Sequence, residues 1–175
     1  HDTGPWREVS YAEALRSVRA IGQFLLDHGL SQEKPLVILS ENSIEHALMA
    51  LGAQHVGIPS AALAPAYSTV STDYSKLRDI AGQITPGMVF ADDGAVFHQA
   101  VDTAFGPDVA FATDRNAPAD RKNVFDFAQI LQTVPTAAVD RAFDATGPDT
   151  VAKFLFTSGT TGSPKAVIQT QRMLC

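Results

Sequence analysis

The chain is poor in cysteine, poor in positive charge and free of long apolar runs, and each shortage closes off a class of function. Cys175 is the only thiol among 175 residues, so no intrachain disulfide can form and a reducing, cytoplasmic setting is expected. Thirteen Lys and Arg stand against 19 Asp and Glu, a formal net charge of −6 that repels polyanions, so nucleic acid is not an expected partner. The densest positive group, Arg115 with Arg121 and Lys122, is interleaved with Asp114 and Asp120 and reads as a solvated loop. Apolar stretches such as Leu36 to Leu39 fall far short of the roughly 20 residues that a membrane span requires. No secretory apolar segment opens the sequence either. Metal templates are missing as well: His28, His46, His55 and His98 fall singly in expected helices, without His-x-His or His-x-x-x-His pairs or a cysteine partner, so no metal ligand is expected.

What is present is the composition of a folded globular chain, 45% hydrophobic and 18% charged. Helical and strand-like patterns alternate, which predicts an α/β fold with a mostly parallel sheet and helices on both faces. Ser10 with Glu13 forms a capping-box pattern, followed by Leu15, Val18, Ile21, Leu25 and Leu26 at helical spacing up to Gly29. Strands are expected at 36–39, 58–63, 88–91 and 109–112. Helices are expected from Asn42 to Gly57 (inner face Ile44, Ala47, Leu48, Leu51, His55), from Ser71 or Thr72 to Pro86 (Tyr74, Leu77, Ile80, Ala81, Ile84 inward), and around Phe97 to Phe105. Polar, proline-bearing composition predicts loops at about 113–122 and 145–150, with a short helix near Phe125 to Leu131. The acidic pairs Asp92-Asp93 and Glu41 with Glu45 read as helix-start residues, where negative charge is favoured, ahead of acid/base or Mg²⁺ roles.

One segment is far more specific than the rest. Phe156 to Val167 reads Phe-Thr-Ser-Gly-Thr-Thr-Gly-Ser-Pro-Lys-Ala-Val, entered from the apolar run Val151, Phe154, Leu155, Phe156 and left through Ala166, Val167 and Ile168. Gly159 and Gly162 allow the backbone to approach a bound group, while Thr157, Ser158, Thr160, Thr161 and Ser163 offer hydroxyls and Lys165 a cation. A plain turn needs one or two glycines and a polar residue or two. The surplus of hydroxyls, with a lysine, points to phosphate.

Spacing excludes the mononucleotide P-loop. That loop needs Gly-x-x-x-x-Gly-Lys-Ser/Thr running into a helix. Here the glycines lie three apart, Ser163 and Pro164 separate Gly162 from Lys165, and a strand follows. Donors must therefore come from hydroxyls and backbone N–H groups, each charge-assisted bond contributing about 1.5 to 3 kcal/mol.

Thr157 to Lys165, TSGTTGSPK, resembles the phosphate-binding signature of the adenylate-forming (AMP-binding) superfamily, which includes acyl- and aryl-CoA synthetases. Softer likenesses at Ser40 to His46, Gly57 to Pro59, Pro65 to Tyr67 and Lys165 to Cys175 are most similar to the feruloyl-CoA synthetase branch. The resemblance implies that Thr157, Ser158, Gly159, Thr160, Thr161, Gly162 and Lys165 bind the phosphates of MgATP while a carboxylate attacks the α-phosphorus. CoA would then displace AMP. The implied co-substrates and cofactors are ATP, Mg²⁺ and CoA, and the implied partner is a small carboxylic acid, a hydroxycinnamate such as ferulate or alternatively a medium- or long-chain fatty acid. Two positions depart from the commoner pattern: Ala166 stands where glycine often follows the lysine, and Gln171 where a histidine often lies near the acyl pocket. Gln171 is thus a candidate pocket residue, its other reading being a solvated polar side chain.

The resemblance also implies that 1–175 is an incomplete amino-terminal domain, without the carboxyl-terminal domain and its catalytic lysine. The fragment itself is expected to be inactive, with no catalytic residue inside it. Two other readings stay open on the residues alone: a phosphotransferase with an irregular loop, disfavoured by spacing, and a nucleotide-binding module without chemistry.

Overall fold

A computed structural model of the chain describes residues 6–70, 73–157 and 162–174. Seven strands form one sheet in the order β5-β4-β3-β1-β2-β6-β7. These are β1 (Leu36–Ile38), β2 (Ser60–Ala62), β3 (Met88–Asp93), β4 (Ala110–Arg115), β5 (Val124–Asp126), β6 (Val151–Thr157) and β7 (Lys165–Thr170). Every neighbouring pair is parallel except β6 and β7, which form an antiparallel hairpin.

Helices cover both faces, as the alternating pattern predicted. Strand β1 reads Leu-Val-Ile without a polar break because each face meets a helical layer. Its odd and even residues then serve two cores. Leu36 and Ile38 pack with Val18, Ile21 and Leu25 of α1 (Tyr11–Asp27) and Leu48 and Met49 of α2 (Ile44–His55). Val37 faces the other way, toward Leu77 and Ile80 beyond α3 (Ala66–Thr69) in α4 (Ser75–Ala81), and Phe97 and Val101 of α5 (Gly94–Phe105). The first layer is completed by α6 (Phe127–Ile130) and α7 (Ala137–Ala145), through Phe127, Ile130 and Val139.

Local signals set several boundaries. The Ser10–Glu13 capping box is formed in full, Ser10 N–H donating to Glu13 Oε2 at 2.8 Å and Glu13 N–H to Ser10 Oγ at 3.3 Å. Asp93 caps α5 by accepting from Ala95 and Val96 N–H, the helix-start role expected for the Asp92-Asp93 pair.

Elsewhere the structure corrects the sequence. Ser43, not Asn42, caps α2, accepting from His46 N–H at 3.0 Å. The buried face of α2 is Glu45, Leu48, Met49, Gly52 and Ala53, while Leu51 and Ala47 face outward. The reason is close packing of α1 on α2: a Cβ at Gly52 would come within 2.7 Å of Ile21 Cβ, so small residues occupy the contact. The helix expected from Ser71 or Thr72 starts at Ser75, because Tyr74 adopts φ 51; residues 71 and 72 lie outside the described residues. Strand β4 runs on to Arg115, so the polar loop begins at 116 rather than 113. Helix α7 occupies a stretch where no helix was expected; it is nine residues long and Val139 is its one fully buried side chain.

Candidate phosphate-binding hairpin

Strands β6 and β7 build the site. Phe154 and Phe156 on alternate positions of β6 lean on the core that contains α4 and α5, which fixes the register of the hairpin. Ladder pairing runs from Val151↔Thr170 to Thr157↔Lys165, and the loop springs from that last pair. Thr157 and Lys165 thus face each other across the mouth of the loop, both exposed, with the Thr157 hydroxyl 3.5 Å from the Lys165 carbonyl. Gly162 takes φ +94, the left-handed region that favours glycine. Ser158, Gly159, Thr160 and Thr161 lie outside the described residues. The loop joins strand to strand, as its spacing indicated, and follows the carboxyl end of a parallel-paired strand, the edge where open α/β sheets bind ligands.

The carboxyl limb of the loop is fastened to α4 and to the turn that ends it. Ser163 Oγ donates to Asp79 Oδ2 at 3.0 Å, and Gln83 Nε2 donates to the buried Pro164 carbonyl at 2.8 Å. Asp79 and Gln83 carry no sequence signal for this role. They lie more than 80 residues away in the chain and only the fold brings them here.

Gln171 is not part of this constellation. It follows β7, whose six residues at about 3.4 Å each place it roughly 20 Å from the loop. There its backbone N–H donates to Thr150 O at 3.0 Å and its side chain to Gln54 O at 3.2 Å, tying the hairpin base to the end of α2.

Other titratable groups are committed elsewhere. Arg115 bridges Asp92 and Asp93 at 3.1 Å each. Burial alone would raise the Asp93 carboxyl, but hydrogen bonds from Asn116, Arg115 and the start of α5 outweigh it and hold the carboxyl below its usual range. At Glu45 burial also works upward, and hydrogen bonding by its own backbone N–H and by Arg7 at 2.8 Å prevails, so the net direction is down. Burial lowers the His55 pKa, with the nearby Arg19 charge adding to it. The His55 ring stacks on Phe143 at 4.7 Å, and its Nε2 is buried without a partner among the described residues. A cavity of about 690 Å³ lies beside His98, Asp102 and Arg121, next to β4 and therefore separated from β6 by the three strands β3, β1 and β2. Its Arg121 is already engaged by Asp102 at 2.7 Å and the Val109 carbonyl at 2.8 Å. Among the described residues, no group of three or more His, Cys, Asp or Glu is gathered to hold a metal ion, and no helix is long and apolar enough to cross a membrane.

Comparison with known proteins agrees with this geometry. The chain is 27% identical over 173 residues to a nonribosomal peptide synthetase of Neosartorya fischeri, covering 99% of this chain and 6% of that protein. It is 28% identical over 179 residues to a 4-coumarate–CoA ligase-like protein of Oryza sativa subsp. japonica, covering 99% of this chain and 31% of that one. The chain thus spans less than a third of the length of these curated relatives. In fold it is similar to a benzoate CoA ligase of Burkholderia xenovorans LB400, with a TM-score of 0.70 over 93% of this chain and 29% of that one at 18% identity. The model of the AMP-binding enzyme family matches residues 1–175, and the chain belongs to that family.

Proposed function

We propose that this chain supplies the phosphate-gripping part of an enzyme that uses ATP to activate a carboxylic acid as an acyl-adenylate and then passes the acyl group to CoA. The observation that carries the reading is the β6–β7 hairpin. Lys165 stands opposite Thr157 at the mouth of a loop whose sequence is rich in hydroxyls, and Gly162 opens the backbone there. The residues fit a triphosphate. Thr157, Ser158, Gly159, Thr160, Thr161, Gly162 and Lys165 would hold its phosphates, through hydroxyl and backbone donors and one cation. Bound there, ATP provides a phosphorus open to attack by a carboxylate, with pyrophosphate leaving. The loop's part is to hold and orient the pyrophosphate portion and to balance its charge. Mg²⁺ would enter with the nucleotide, and the chain's one thiol is compatible with a reducing cytoplasm.

For the acid we favour a hydroxycinnamate such as ferulate, supported by the 28% identity to a 4-coumarate–CoA ligase-like protein, with a medium- or long-chain fatty acid as the second reading, supported by 25% identity to a long-chain-fatty-acid–CoA ligase of Rattus norvegicus. Gln171 is kept in this reading as the candidate pocket residue, at the wall of a cavity of about 650 Å³ that it lines with Phe143, Pro148 and Arg172, while its amide also holds the hairpin base.

The test is acid-dependent exchange of pyrophosphate into ATP by the full-length protein, run with ferulate, coumarate, benzoate, fatty acids and amino acids. Exchange is expected, fastest with a hydroxycinnamate. Exchange with fatty or amino acids alone would move the substrate class, and none with any acid would overturn the function.

A further inference from the structure

Two side chains of the α4 region reach the same limb of the hairpin loop. Asp79 and Gln83 are four residues apart and so share one side of a helical turn. Asp79 accepts from Ser163 Oγ at 3.0 Å, and Gln83 Nε2 donates to the Pro164 carbonyl at 2.8 Å. The Gln83 amide also donates to the Asp79 carbonyl at 3.2 Å, so its two hydrogens tie its own backbone and the loop together. Consecutive loop residues 163 and 164 are therefore fixed by Asp79 of α4 and by Gln83 of the turn that ends it, directly after Gly162 at φ +94 and directly before Lys165.

We propose that Asp79 and Gln83 are positioning residues that act through Ser163 and Pro164 to set the carboxyl limb of the phosphate loop, and with it Lys165, for nucleotide binding; this rests on the function proposed above. Three features favour positioning over plain stability. The side chains of Asp79, Gln83 and Ser163 belong to exposed residues, where a hydrogen bond adds little to folding. Leu77 and Ile80 anchor α4 in the core without these polar contacts. A carboxylate beside a polyanion site carries a Coulomb cost, so the presence of Asp79 is explained by its acceptor geometry. The Ser163 hydroxyl is correspondingly directed at α4, and its part is to fasten the loop.

The experiment measures the KM for ATP and kcat of pyrophosphate exchange in the full-length protein, together with the thermal midpoint. Asp79→Ala, Ser163→Ala and Gln83→Ala should each raise the KM for ATP about 3- to 10-fold, the range of one net hydrogen bond, with kcat moved less and the midpoint unchanged. Asp79→Asn keeps an acceptor and loses the charge, so it should restore a wild-type KM or lower it. The Asp79→Ala/Ser163→Ala double variant should be no worse than either single one. Gln83→Met keeps length and packing without the donor and should match Gln83→Ala. Wild-type KM in all three alanine variants, an Asp79→Asn as impaired as Asp79→Ala, or a midpoint that falls in step with KM would overturn the proposal. If the wild type exchanges with no acid, the functional reading fails by itself. Titration of the same variants with MgATP then decides the clamp, equal affinity overturning it and weakened affinity supporting it.

Discussion

The centre of the sheet and its hairpin edge are built differently. Strands β1 and β3 at the centre carry helices on both faces, and their Leu36, Val37, Ile38, Val89 and Phe90 are wholly buried. In the β6–β7 hairpin the paired residues Leu155 and Val167 remain 39% and 43% exposed, and Ile168 55%. Apolar residue type is the same in both regions, yet burial is not. Packing pressure fixes the first region, whereas the hairpin is held at its edges, by Gln171 at its base and by α4 near its loop. A site that must admit a ligand belongs at the end where the fold does not already fill the space.

Substitutions can break or sharpen that contrast. Phe90→Ala should cost the most, about 3–5 kcal/mol, because a fully buried ring 5.9 Å from Phe127 leaves a cavity that the sheet cannot collapse; urea unfolding gives the value. Gly52→Ala should cost about 1–3 kcal/mol, since the new methyl meets Ile21 where α1 and α2 touch. The same unfolding series checks it.

His55 gives a smaller, pH-dependent effect on the well-packed side. Its folded pKa lies below its ordinary value, so between the two the unfolded chain binds more protons and stability rises with pH. That contribution is fully present above the ordinary histidine range and is lost as pH falls below it toward the folded pKa. His55→Gln should flatten this part of the stability curve, leaving the separate decline at the lower pH where Glu45 protonates. Val167→Ser should change stability least, within about 0.5 kcal/mol by the same unfolding measurement, because that side chain is not packed on both sides. A Val167→Ser cost comparable to Phe90→Ala would erase the distinction between the regions.

Much of the fold was legible where local chemistry and tertiary packing agree. The Ser10 capping box, the Asp93 cap, the mostly parallel character of the sheet and the strand-loop-strand form of the signature all follow from residue type and spacing. Misreadings arose where packing overrode apolar periodicity. Gly52 lets two helix backbones approach, so α2 turns Leu51 outward and buries Glu45, which Arg7 partners. Helix α7 spans nine residues and its large apolar side chains are Val139 and Phe143 alone, too short a run to display a helical period. At the site, Lys165 and Gly162 could be read from the chain, but Asp79 and Gln83 could not, because ordinary polar residues on a short helix and the turn after it acquire meaning only from what lies opposite. Gln171 shows the converse: near the signature in sequence, it is carried away from the loop by the length of one strand.

The central claim is that the hairpin grips phosphate, and Lys165→Ala tests it most directly. In the full-length protein this variant should raise the KM for ATP in acid-dependent pyrophosphate exchange by roughly 10- to 100-fold, the worth of one charged hydrogen bond, while its thermal midpoint stays at the wild-type value. An unchanged KM for ATP, or a loss of activity that merely follows a loss of folding, would contradict it.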